Sequence, residues 1–220
     1  MGILIKEVCG INMSRYVDIL EEIESLPSKR RRSLKRLLQL ADHHDEEVRF
    51  RAIERLGEYP SETVIRRLHA GLEDTDELVR ITCLEVLGDW RNEASIDLIT
   101  KCLDDDDELV RCAAADALGE IGNTRSVRVL EPRIAEASDR ERMSLYAALC
   151  GLGREKYFEP LLNLLKSEDY RTRCAVANSI WLYVNDSNKK YVLEKLREAL
   201  EIEDTVAARS SIEEAIKDFK

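Results

Sequence analysis

From residue 33 onward, apolar positions recur three and four residues apart. That spacing puts side chains on one face of an α-helix. Val48, Ala52 and Leu56 make one such face, and Val110, Ala114 and Leu118 another. Ile96, Ile99 and Leu103 make a third, and Val127, Leu130 and Ile134 a fourth. The pattern itself repeats. Segments beginning at Asp45, Asp76 and Asp107 align without a gap at an offset of 31 residues, carrying Leu56 to Leu87 to Leu118 and Gly57 to Gly88 to Gly119. The register continues more weakly through Arg142 and Leu149 to Arg173 and Ile180. Arg209 and Ile216 stand 36 residues further on, which implies a five-residue insertion near residues 185–190. Six units of two helices each are predicted across residues 33–220.

Helix ends are also written in the chain. Asp45, Asp76, Asp107 and Asp169 are placed to cap the second helix of their units, where a carboxylate accepts from orphan first-turn N–H groups. Gly57, Gly88 and Gly119 are expected to end those helices in the left-handed conformation. Asn92 and Asn123 are expected to cap the following first helices. Pro132 falls inside a first helix and predicts a kink there. Residues 1–32 form an N-terminal segment with a capping helix. Tyr16, Ile19, Leu20 and Ile23 make its apolar face, and Pro27 closes it. A unit of this size cannot bury its apolar face alone, so the six are expected to stack into one continuous domain over 33–220.

The string D-x-x-V-R-x-x-A-x-x-A-L-G, carried best by Asp107, Val110, Arg111, Ala114, Ala117, Leu118 and Gly119, resembles HEAT repeats of the short bacterial and archaeal type, often called PBS-lyase HEAT-like. The resemblance implies an all-α fold, a right-handed α-α superhelix of about six helical pairs, with second helices lining a concave face. Later units depart from it. Glu141 replaces the valine and Cys150 the glycine, the next unit has Thr172 and Trp181, and the last has Ala208. This fold hosts many roles, so function must be argued from particular residues.

Charge narrows the roles. The 220 residues carry 34 Lys+Arg against 44 Asp+Glu, a net of −10. A duplex nucleic acid needs a basic face, so it is disfavoured as a partner. No apolar run reaches the roughly 18 residues of a membrane span. The charge is uneven: residues 1–40 carry +3, while residues 64–125 hold seven basic and fifteen acidic residues, a net of −8. The one basic run is Lys29, Arg30, Arg31, Arg32, Lys35 and Arg36. Six cysteines include no C-x-x-C pair, and Lys6 and Glu7 interrupt the only N-terminal apolar stretch. A cytoplasmic protein with free thiols is expected.

Three sets of positions on the second helices are candidates for partner binding. The position two after the valine reads Phe50, Ile81, Cys112, Met143 and Cys174, either packing between repeats or an exposed apolar stripe. Glu54 and Glu58, Glu85 and Asp89, and Asp116 and Glu120 are pairs four apart, each on one side of its helix. They are either a solvated polar face or an acidic track that steers a basic partner. Tyr146, Trp181 and Tyr183 cluster in a chain only 5% aromatic, and such residues are enriched in interface hot spots. A further ladder of Arg49, Arg80, Arg111, Arg142, Arg173 and Arg209 is assigned to stacking, through acidic loop residues such as Asp76 or Asp107.

Catalytic signatures are missing. There is no G-x-S-x-G, P-loop or G-x-G-x-x-G. His43, His44 and His69 lack a metal-ligand constellation, and no His-Glu dipeptide of the HEAT-like di-iron hydroxylases occurs. Asp104–Asp107 lacks the glycine and final glutamate of an EF-hand loop. The chain is therefore expected to be no enzyme and to need no cofactor or metal. It reads as a scaffold or adaptor that binds a basic protein on an acidic and aromatic concave face. The alternatives are an inhibitor or immunity protein for a basic toxin, an enzyme-associated subunit like the phycobilin lyases, and a HEAT-like DNA glycosylase.

Overall fold

The computed structural model describes residues 13–219. Cys9, one of the six cysteines, and the interrupted apolar stretch lie outside these residues. The described residues are all-α: helices and short 3-10 turns joined by tight loops, with no strand. The chain divides into two compact units, residues 1–90 and 91–220.

The first unit holds the capping helix α1 (Met13–Ser25) and two helical pairs. These are α2 (Arg31–Leu40) with α3 (Glu46–Leu56), and α4 (Glu62–Gly71) with α5 (Glu77–Asp89). Ile23, Leu37, Val48, Ile53, Leu56, Leu68, Leu84 and Leu87 are almost fully buried between them. Each such side chain stabilises the fold by roughly 1.5–3 kcal/mol relative to exposure. Polar ties fix the cap. Arg36 and Glu22 form a two-pronged ion pair at 2.8 Å, Arg55 donates to the carbonyl of Leu26 at 2.7 Å, and the Tyr59 hydroxyl donates to that of Pro27 at 3.1 Å.

The second unit holds four pairs. They are α6 (Ile96–Cys102) with α7 (Glu108–Ile121), and α8 (Val127–Leu130) with α9 (Asp139–Gly151). Then come α10 (Phe158–Asn163) with α11 (Tyr170–Ser179), and α12 (Lys189–Ile202) with α13 (Val206–Asp218). Ile99, Val110, Leu118, Leu130, Leu149, Leu161, Ile180, Leu196 and Ile212 form the core. Pro132 does more than kink its helix: α8 gives way to a 3-10 turn over Glu131–Ala135. The insertion is shared between the loop before α12 and α12 itself, whose 14 residues make it the longest first helix. The outward side of α13 carries Glu213, Glu214, Lys217 and Asp218, all exposed, as suits the end of a stack.

The aspartate caps stand as expected. Asp45 accepts from the Val48 N–H at 3.2 Å, Asp76 from Val79 at 3.1 Å, and Asp107 from Leu109 and Val110 at 2.8 and 3.1 Å. Asp169 accepts from Arg171 and Thr172. Asp107→Ala is expected to lower stability by about 1 kcal/mol, read as a shifted urea midpoint at unchanged slope. Asn123 accepts from the Arg125 N–H, whereas Asn92 accepts from the Ser95 hydroxyl instead of a backbone group.

The motif glycines are a correction. Gly57 has φ −54°, and Gly88 and Gly119 lie inside their helices. The left-handed terminator of α7 is Gly122, at φ +75°. Gly119 serves close approach: a Cβ there would stand 2.8 Å from both Cα and Cβ of Ala148 in α9.

Arg49, Arg111 and Arg173 of the ladder bridge repeats as expected, through acidic residues other than Asp76 and Asp107, whereas Arg142 pairs with Asp139 of its own repeat at 3.4 Å. Asp76 and Asp107 are occupied as caps. Arg49 instead pairs with Asp74 at 2.6 and 2.9 Å, Arg111 with Glu141 at 2.6 Å, and Arg173 with Glu203 at 2.6 and 2.8 Å. The other arm of each arginine donates to its own preceding loop: Arg49 to His43 and His44, Arg111 to Asp105 and Asp106, Arg173 to Ser167 and Glu168. One side chain thus closes its own turn and grips the next repeat.

Candidate interaction surfaces

In the first unit, α3 and α5 lie side by side and bring Glu54, Glu58, Glu85 and Asp89 onto neighbouring surfaces. Their helices spend apolar positions on the core, which leaves the positions four apart for solvent. Glu54 is paired with Arg51 at 3.5 Å and Glu58 with Arg55 at 3.2 Å. Glu85 and Asp89 are exposed and have no basic partner among the described residues. Burial against its neighbours, then the charges of Asp89 and Glu54, push the Glu85 carboxyl above its ordinary value. These acids are therefore a mutually repelling set, half relieved by arginines. Phe50 and Ile81 are half-buried beside them, and the Arg51 guanidinium lies 5.0 Å from the Phe50 ring centre.

In the second unit, α7, α9 and α11 line a groove of about 320 Å³. Cys112 and Met143 stand in it with Asp116, which accepts from the Ser144 hydroxyl at 3.1 Å. Burial, then the Asp116 carboxylate, pushes the Cys112 thiol up to about 12, so it stays protonated and unreactive at neutral pH. Glu120 is exposed further along α7. Of the apolar set, Cys112 is buried, while Met143 and Cys174 are half-buried.

The aromatic set divides. The Tyr183 hydroxyl donates to the Ala147 carbonyl at 3.0 Å, and burial pushes its phenol up to about 12. Tyr146 is half-buried and stacks on Tyr157 at 5.7 Å. Only Trp181 of the three is open, at 56% exposure, with Leu182 beside it at 57%.

Sequence reasoning missed the position just before the motif valine. It reads Glu47, Leu78, Leu109, Arg140 and Arg171 at the 31-residue offset. Leu78 and Leu109 are exposed, and Leu109, Arg140 and Arg171 line the second-unit groove. The signal for it is the leucine at this position in two successive repeats, where a solvated helix face would carry a polar residue. Among the described residues, no group of His, Cys, Asp or Glu could hold a metal, and no helix is long and apolar enough to cross a membrane. Cys83, Cys102, Cys112, Cys150 and Cys174 form no disulfide among the described residues.

Residues 65–150, from within α4 to near the end of α9, match the HEAT-repeat family. No curated protein matches the chain. Among solved structures, the complex of CpcE and CpcF of phycocyanin lyase from Nostoc sp. PCC7120 contains a chain 17% identical, with a TM-score of 0.48 over 89% of this chain and 97% of that one. A designed armadillo repeat protein is 15% identical, with a TM-score of 0.41 over 85% of this chain and all of that one. No activity is carried over from these likenesses.

Proposed function

We propose that this protein is a non-catalytic HEAT-repeat interaction module that binds a basic protein through its acidic second-helix faces. One observation carries the reading. Glu85 and Asp89 project together from α5 without a cation, facing the partly paired Glu54. Holding like charges together costs stability that the fold does not recover internally. A lysine- or arginine-rich surface would relieve the repulsion and would be steered to it. Phe50 and Ile81 offer apolar contact next to these carboxylates.

Charge reversal tests the reading. Glu85→Lys with Asp89→Lys is expected to slow association with a lysine-rich protein about tenfold at low salt, with a smaller change in dissociation. Both sites are exposed, so the fold is expected to hold. An unchanged association rate in stopped-flow mixing would sink the acidic face. Proton linkage gives the sign with pH. A cation stabilises the charged form of Glu85, so binding releases a proton and affinity weakens as pH falls through its raised carboxyl range.

A further inference from the structure

A pocket lies where the five-residue insertion breaks the repeat register. Trp181 stands where the regular repeats carry their glycine, on the 3-10 turn Ile180–Tyr183. The chain then loops through residues 184–188 into α12. Between this loop and the end of α13 lies a concavity of about 500 Å³, lined by Trp181, Val184, Asp186, Lys189, Asp218 and Phe219. Asn185 also borders it but spends its side-chain oxygen on the N–H groups of Ser187 and Asn188.

The fold makes no use of the polar groups here. The Trp181 indole N–H, both aspartate carboxylates and the Lys189 ammonium have no hydrogen bond or ion pair among the described residues. Among the described residues the Trp181 ring also carries no cation, unlike four other rings. Arg51 lies 5.0 Å from Phe50, Lys156 4.7 Å from Tyr157, Arg171 5.5 Å from Tyr170 and Lys195 5.6 Å from Tyr191. An indole face attracts cations more strongly than a phenyl or phenol. Trp181 presents the strongest kind of face among these five rings, and it is more than half exposed beside two unpaired carboxylates.

We infer that this pocket binds a cationic side chain, the guanidinium or ammonium of an arginine or lysine on a basic polypeptide. The ring takes the cation on its face, and Asp186 and Asp218 outweigh the single charge of Lys189. The inference rests on the basic-partner reading above and names one subsite for it, in the second unit and built from residues other than the Glu85 cluster.

The experiment titrates the full chain with a nona-arginine peptide, reading tryptophan emission and peptide anisotropy. Trp90 serves as the internal control, since its indole N–H is engaged with the Gly57 carbonyl. Binding is expected to change the emission saturably, and the change should vanish in Trp181→Phe. Trp181→Ala should weaken binding about fivefold, the loss of one exposed cation–π contact with its packing. Asp186→Asn with Asp218→Asn should weaken it at least as much, and Lys189→Ala should tighten it. All these side chains are surface groups, so an unchanged thermal midpoint will show that the variants fold. Equal affinity across the Trp181, Asp186 and Asp218 variants would overturn the subsite. If only Glu85→Lys with Asp89→Lys weakens binding, the subsite falls and the basic-partner reading stands. If neither set does, both fall.

Discussion

Arg173→Ala is expected to destabilise the protein by about 3–5 kcal/mol, the range for breaking a buried ion pair by removing one partner. Arg173 and Glu203 keep only 12% and 2% of their side-chain surface exposed. The arginine meets Glu203 through two bonds and donates its remaining arm to the carbonyls of Ser167 and Glu168. Glu203 also accepts from the N–H and hydroxyl of Thr205, so it organises the start of α13 as well. Alanine would leave a buried carboxylate with no cation and two carbonyls short of a donor. Adding Glu203→Gln to Arg173→Ala should recover part of the loss by removing the stranded charge. Urea melts of the wild type, both single variants and the double variant would measure the coupling.

The same pair gives the fold an acid limit. Hydrogen bonding to Arg173, opposed by burial, brings the Glu203 carboxyl down to about 2 from an ordinary 4.5. A depressed carboxyl stabilises the native state above its unfolded value and loses that stabilisation as pH falls through its folded value. The contribution is about 3 kcal/mol, present at neutral pH and lost between about pH 4.5 and 2. Other paired carboxylates, Glu141 and Asp74 among them, are also held below their ordinary values. The Arg173→Ala variant isolates this one, because its melt should lose less on acidification than the wild type.

Gly119→Ala is the second large effect, expected at about 1–3 kcal/mol, the cost of overpacking a tight contact. The new methyl would stand 2.8 Å from the Ala148 Cα, a backbone atom that cannot swing away, so α7 and α9 would have to part. On an ordinary helix the same change would stabilise, since alanine is the better helix former. The sign of the change in the melt therefore decides what this glycine does. Ala148→Gly in the same chain should recover part of the loss, because one of the two clashing atoms is removed.

That glycine shows where the sequence was legible and where it was not. The offset from Asp45 to Asp76 to Asp107 carried the helical pairs, their aspartate caps and the core valines and leucines, because each depends on contacts within one repeat. Gly119 was read as a terminator because a local rule favours glycine at helix ends. Its reason lies in a neighbouring helix 29 residues on, which no local rule sees. The arginine ladder was assigned to stacking, and Arg49, Arg111 and Arg173 do bridge repeats. Its role was readable, but Asp76 and Asp107 were already committed to capping, so the partners became Asp74, Glu141 and Glu203. Among the candidate site residues, Tyr183 and Trp181 look alike in sequence. The structure separates them: one hydroxyl is bound to a carbonyl, and one ring is open.

The central claim is that this module selects a basic partner, and its most direct test is a charge comparison on the unmodified chain. Polylysine and a duplex DNA of matched length should be titrated against it across a range of salt concentrations. The expected result is saturable polylysine binding that weakens as salt rises, with no DNA binding. DNA binding with a steep salt slope, and none to polylysine, would contradict it.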